Sequence, residues 1–68
     1  MRYFECITAE HSKFWAIEVD DSDVVTSFGR IGVSGQTSVK SFASTTEATK
    51  AVDRLIISKL KKGYVEVL

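Results

Sequence analysis

The hydrophobic period of this chain changes once, at Ser44, and the change limits the fold to strands followed by a helix. Before it the period is two. In Lys13–Asp20, Trp15, Ile17 and Val19 alternate with Phe14, Ala16 and Glu18, as in a strand. Arg2–Thr8 carries aromatic and aliphatic residues on both parities. Val24–Ile31 is rich in β-branched and aromatic residues, and Gln36–Phe42 makes a fourth run. The breaks are short: Ala9–Ser12, the acidic cluster Asp20–Asp23, and Gly32–Gly35. Short connections favour antiparallel neighbours, so the simplest product is a four-stranded meander.

After the change the period is that of a helix. Ser44-Thr45-Thr46-Glu47 is a capping box, with Ser44 as N-cap and Glu47 at N3. Ala48, Ala51, Val52, Leu55, Ile56 and Leu60 follow at three- and four-residue spacing. Lys59, Lys61 and Lys62 fall in the last turn, where cations complement the helix dipole, and Gly63 suits the C′ position. Tyr64–Leu68 reads as a short apolar edge strand. The expected class is α+β: an antiparallel four-stranded meander with the helix packed on one face.

Trp15, Ile17, Leu55 and Phe42 are the expected core, with Val19 also inward. On the third strand, Val25, Gly29 and Ile31 are expected to face the helix, Gly29 letting it approach. That choice sends Phe28 and Arg30 to the open face. The opposite parity stays open, because Val24 and Phe28 are also apolar.

A length of 68 residues makes one domain, residues 1–68. A chain this short buries only about 60% of its unfolded surface, so one well-packed core must suffice. The single cysteine, Cys6, cannot close an internal disulfide and reads as a small buried strand residue. Met-Arg-Tyr-Phe-Glu-Cys at the start has no long apolar run. Neither a signal peptide nor a membrane span fits it, so a cytoplasmic setting without membrane contact is expected.

Net charge is zero, yet the charges are not evenly spread. Residues 1–23 hold six carboxylates against Arg2 and Lys13; residues 24–68 hold seven basic residues against three carboxylates. Such asymmetry can build one basic face. The meander puts the glycine loop and the acidic turn at opposite ends. A helix antiparallel to the fourth strand would bring Lys59, Lys61 and Lys62 to the glycine-loop end.

The densest cluster of unusual residues is Phe28-Gly29-Arg30-Ile31-Gly32 with Gly35-Gln36. Phe28 and Arg30 share a face of a strand, and Gly29 faces away. An aromatic ring beside a guanidinium is a platform for a flat, anionic ligand such as a nucleic-acid end. The plainer alternative is a core phenylalanine, a surface arginine and an ordinary hairpin. Gln36 and Lys40 could reach a base or phosphate from the next strand. Lys59, Lys61 and Lys62 would add diffuse attraction. Catalytic patterns are not evident. His11 has no second histidine or paired cysteine, Asp20-Asp21-Ser22-Asp23 lacks the ligand spacing of a calcium loop, and Gly29-Arg30-Ile31-Gly32 lacks a P-loop ending. No enzyme, cofactor or metal is expected.

Lys13-Phe14-Trp15, Phe28-Gly29-Arg30-Ile31-Gly32, Gly35-Gln36, Phe42 and Lys62-Gly63-Tyr64 occur in an order that resembles the WGR domain. That domain occurs in DNA-damage-responsive poly(ADP-ribose) polymerases and as small stand-alone bacterial proteins. The resemblance implies a non-catalytic nucleic-acid-binding module, in which Phe28 would stack on a terminal nucleotide and Arg30 would take the family arginine's place; the partner is expected to be DNA or RNA, and the chain is expected to be a monomer. Phe28 stands where the family's signature tryptophan is expected, and it offers less area and no indole N–H. Phe28, Gly29, Arg30, Gln36, Lys40, Lys59, Lys61 and Lys62 are therefore the expected nucleic-acid contacts. The alternative is a protein-interaction module using an open sheet face that carries Phe28, Tyr3 and Phe14.

Overall fold

In the computed structural model, which describes residues 1–68, the period change marks the boundary between sheet and helix. Strands β1 (Arg2–Ile7), β2 (Ser12–Asp20), β3 (Asp23–Arg30) and β4 (Gln36–Ser41) precede helix α1 (Thr45–Lys61), and β5 (Val65–Glu66) follows it. The sheet order is β4-β3-β2-β1-β5, and every pairing is antiparallel. The meander is as expected, and the C-terminal tail adds a short edge strand beside β1.

The helix forms where its caps direct. The Ser44 side chain accepts a hydrogen bond from the Glu47 backbone N–H at 3.1 Å, satisfying one free donor of the first turn. Gly63 takes φ +98° just past the end, the left-handed conformation expected of a C′ residue. At the other end of the sheet, the Phe42 N–H donates to the Ser22 carbonyl at 2.9 Å, which brings the helix start beside the acidic turn. The C-terminal turn of α1 thus arrives at the glycine-loop end, as a helix antiparallel to the fourth strand requires.

Phe4, Trp15, Ile17, Val24, Ala48, Val52 and Ile56 form the core between helix and sheet, with Val19, Phe42 and Tyr64 packed against it. The helix lies against β2 and β3. A helix is about 10–12 Å wide, whereas five strands spaced about 4.8 Å apart are broader. Every residue of β4 consequently stays exposed.

Two expectations fail here. Leu55 is 40% exposed and outside the core. Ala48, Val52 and Ile56 take the sheet-facing stripe, and Leu55, one sector round the helix, overhangs the uncovered part of the sheet. The parity of β3 is also reversed. Trp15 pairs with Phe28, Ile17 with Thr26 and Val19 with Val24, and directly paired residues share a face. Since Trp15 and Ile17 face the helix, so do Val24, Phe28 and Arg30. Val25, Gly29 and Ile31 do not.

Gly29 still marks a close approach, though not of the helix. A Cβ there would lie 2.8 Å from the Gly35 Cα and 3.5 Å from the Phe14 ring. On Gly35, at φ +74°, a Cβ would collide with the Phe28 carbonyl oxygen and come within 2.8 Å of Phe14. The glycine loop folds back over the open face of β3, and the two glycines make room for it.

Candidate nucleic-acid interface

The reversed parity places Phe28 and Arg30 over a hollow between β2, β3 and the C-terminal half of α1. Lys13, Trp15, Thr26, Phe28 and Arg30 come from the sheet, and Leu55 and Lys59 from the helix. Tyr64 arrives from the segment after the helix, and Phe14 and Gly29 complete the lining. The hollow has a volume of about 470 Å³. Its side chains are positioned by the hairpin: a two-residue turn at Asp21–Ser22 sets Trp15 opposite Phe28 and Lys13 opposite Arg30. Phe28 is 41% exposed while Trp15 is 4% exposed. Phe28 therefore presents ring area to solvent, and Trp15 anchors the wall behind it.

Three cations converge on this hollow, and no carboxylate lines it. The Lys59 ammonium sits 5.4 Å from the Trp15 ring and 5.1 Å from the Tyr64 ring; Lys13 Nζ lies 6.0 Å from Tyr64. These are cation–π distances. Burial holds the Lys59 amine below the usual lysine range, and repulsion from Lys62 and Lys13 adds to the effect. An anion in the hollow would relieve that repulsion.

The carboxylates of β5 and α1 engage elsewhere. Glu66 is engaged by Arg2 through two hydrogen bonds of 2.8 and 2.7 Å at the β1–β5 edge. Asp53 adds a weaker attraction to the same arginine. The acidic turn lies at the far end of the sheet. Neutral net charge thus resolves into a basic cleft on the β3 side of the helix and compensating acids elsewhere.

Of the residues singled out in the sequence, Phe28, Gly29, Arg30 and Lys59 meet in the hollow. Gln36 pairs with Phe28 across β3 and β4 and shares its face. Lys40 lies further along, in a second hollow with Val24, Thr26, Ser38, Phe42, Ala51, Arg54 and Leu55. Lys61 and Lys62 are exposed at the helix end and line neither hollow, although Lys62 is close enough to act on Lys59. Lys13, Trp15, Tyr64 and Arg54 are additional groove residues. The first two were accessible from the hairpin register, had Asp20–Asp23 been read as enclosing a two-residue turn.

The match to known proteins covers the whole of this arrangement. The family model for the WGR domain matches residues 1–68. The chain belongs to the WGR domain family. It is 41% identical over 66 residues to protein YehF of Escherichia coli K12, covering 97% of this chain and 24% of YehF. It is also 33% identical over 55 residues to the uncharacterized protein YfeS of the same organism, covering 81% of this chain and 22% of YfeS. A crystal structure of a Bacteroides fragilis protein superposes with a TM-score of 0.96 at 48% identity, over 98% of this chain and 19% of that one. The chain therefore spans about a quarter or less of the relatives it matches.

The signature segment of this WGR domain has a physical basis in the fold. Its glycine admits the returning loop on one face, and the flanking aromatic and arginine are turned together onto the other. The open face carries a different aromatic pair: the Tyr3 and Phe14 rings stack with centroids 5.7 Å apart, and the Tyr3 hydroxyl donates to Glu5 at 3.3 Å. Phe28 is not on that face. No helix is long and apolar enough to cross a membrane.

Proposed function

We propose that this WGR domain is a non-catalytic nucleic-acid-binding module, weak and salt-sensitive, whose contact surface is the hollow at Phe28 and Arg30. The observation that carries it is the convergence of Lys13, Arg30 and Lys59 on an aromatic-lined hollow free of carboxylates. Bases stack on aromatic rings while Lys and Arg take the phosphates. Arg30 can meet a phosphate with two hydrogen bonds, and Lys59 and Lys13 act as point charges. Gln36 adds an amide beside Phe28. Lys61 and Lys62 supply attraction without direct contact. DNA and RNA both fit this chemistry.

The test is a titration of the isotope-labelled domain with DNA and RNA at low salt. Amide and side-chain shifts should concentrate at residues 13–15, 28–40 and 59–64 and fade as salt rises. Absence of shifts at millimolar nucleic acid would refute the proposal.

A second function is favoured by one observation on the other face. Val39 is 59% exposed there, on the uncovered edge strand and on the same side as the Tyr3–Phe14 stack. This surface suits a protein partner. Its test is Val39→Glu, which should abolish partner capture and leave nucleic-acid shifts intact.

A further inference from the structure

We propose that the two hollows form one track for an unpaired strand of nucleic acid, so that this domain prefers single strands to duplex. The inference rests on the nucleic-acid function proposed above.

The second hollow, about 420 Å³, shares Thr26 and Leu55 with the first, so the two adjoin along the helix. Val24, Phe42, Ala51 and Leu55 give it an apolar lining. Lys40 and Arg54 add exposed cations, and again no carboxylate lines it. Lys40 Nζ lies 5.5 Å from the Phe42 ring, repeating the pairing of lysine and aromatic found around Trp15 and Tyr64.

Length and shape select the occupant. Lys40 pairs with Val24, six residues before Arg30 on β3, which is about 20 Å at roughly 3.3 Å per residue. Phosphates along one strand of B-DNA rise about 3.4 Å each, so the track accommodates at most about six nucleotides. A duplex can place phosphates near the surface cations, but its base faces are occupied by stacking, apart from the terminal pair. An unpaired strand can turn successive bases onto the apolar lining and leave its phosphates to Arg30, Lys59, Lys40 and Arg54. The wholly exposed β4 leaves one side open for it to enter. Glu47, grouped with Lys50 and Arg54 beyond Phe42, ends the basic stretch.

The experiment compares a thymidine dinucleotide, a thymidine hexanucleotide and a blunt-ended duplex by fluorescence anisotropy at low salt, with the 68-residue chain and its Lys40→Glu/Arg54→Glu variant. Both substituted side chains are exposed, and circular dichroism checks the fold. The hexanucleotide should bind at least about fivefold tighter than the dinucleotide, the gain of one further stacked base, and tighter than the duplex. The double variant should lose that gain and keep dinucleotide binding. Unchanged hexanucleotide affinity in the variant, equal affinity for duplex, or equal competition by poly-glutamate of matched charge would each overturn the single-strand track while leaving the first hollow's function standing. If only the duplex binds the parent chain, the track falls and the nucleic-acid function stands; if neither the oligonucleotides nor the duplex bind, that function falls and the track with it.

Discussion

In the proposed function Arg30 supplies charge and Phe28 supplies stacking, and their substitutions should separate the two. Arg30→Glu should lower affinity for single-stranded DNA and flatten its dependence on log salt by about 0.7 for the lost phosphate contact. Phe28→Ala should cost about 1–3 kcal/mol of binding, with the salt slope unchanged. Equal effects of the two variants on slope would contradict this division. Lys59 adds a pH signature. Its amine is held below the usual lysine range by burial and by Lys62 and Lys13, so it loses its charge at lower pH than an ordinary lysine. Affinity should therefore fall on the alkaline side earlier than for a Lys59→Arg variant. The same shift acts on folding with the opposite sign: between the folded and unfolded pKa values the unfolded chain holds the extra proton, so stability rises with pH across that window. Paired measurements of binding and thermal unfolding from neutral to alkaline pH would show whether the two trends diverge.

Among the elements, the glycine loop and the β5 edge control the site's surroundings. Gly35 has φ +74° and no room for a Cβ. Gly35→Ala should destabilise the domain by more than about 1 kcal/mol and disturb Phe14 and Phe28 resonances together; denaturant unfolding with NMR would test it. At the opposite edge, the Arg2 hydrogen bonds hold the Glu66 carboxyl below its ordinary value. A carboxylate depressed on folding contributes stability above its unfolded pKa and loses it as pH falls through the folded one. Acid should therefore release β5 first. Protection of the Val67 amide, whose N–H donates to the Tyr3 carbonyl at 2.9 Å, against its intrinsic exchange rate should fall at low pH before that of β2 and β3, and Glu66→Gln should remove that pH dependence.

For the molecule as a whole, one core residue carries a large share of stability. Trp15 is 4% exposed in the core beneath the helix, beside the Phe4 ring, whose centroid lies 5.3 Å away. Trp15→Ala should cost about 3–5 kcal/mol. Total stability at about 0.05–0.15 kcal/mol per residue comes to roughly 3–10 kcal/mol for this chain. The variant should melt well below the parent by circular dichroism, and a melting curve like the parent's would mean that Trp15 is not core. Tryptophan therefore serves the scaffold of the site, and the exposed aromatic at its mouth is Phe28.

Periodicity and local chemistry in the sequence were sufficient for the strands, the helix with its Ser44 and Gly63 caps, and the meander. These depend on neighbours a few residues apart, so their signals survive in a linear string. The pairing of Phe28 with Arg30 on one face was equally legible, because strand geometry alone dictates it. Which face that would be was not. Val24 and Phe28 compete with Val25 and Ile31 as apolar sets, and only the register of β3 on β2, locked by a two-residue turn and the burial of Trp15, decides between them. Leu55 likewise sits within the apolar stripe of α1 but lies outside the core, because one helix is narrower than five strands. The groove is the space that mismatch leaves; the hairpin register links Lys13 and Trp15 to Arg30 and Phe28, but Leu55, Lys59 and Tyr64 reach them only through the packing of the helix on the sheet.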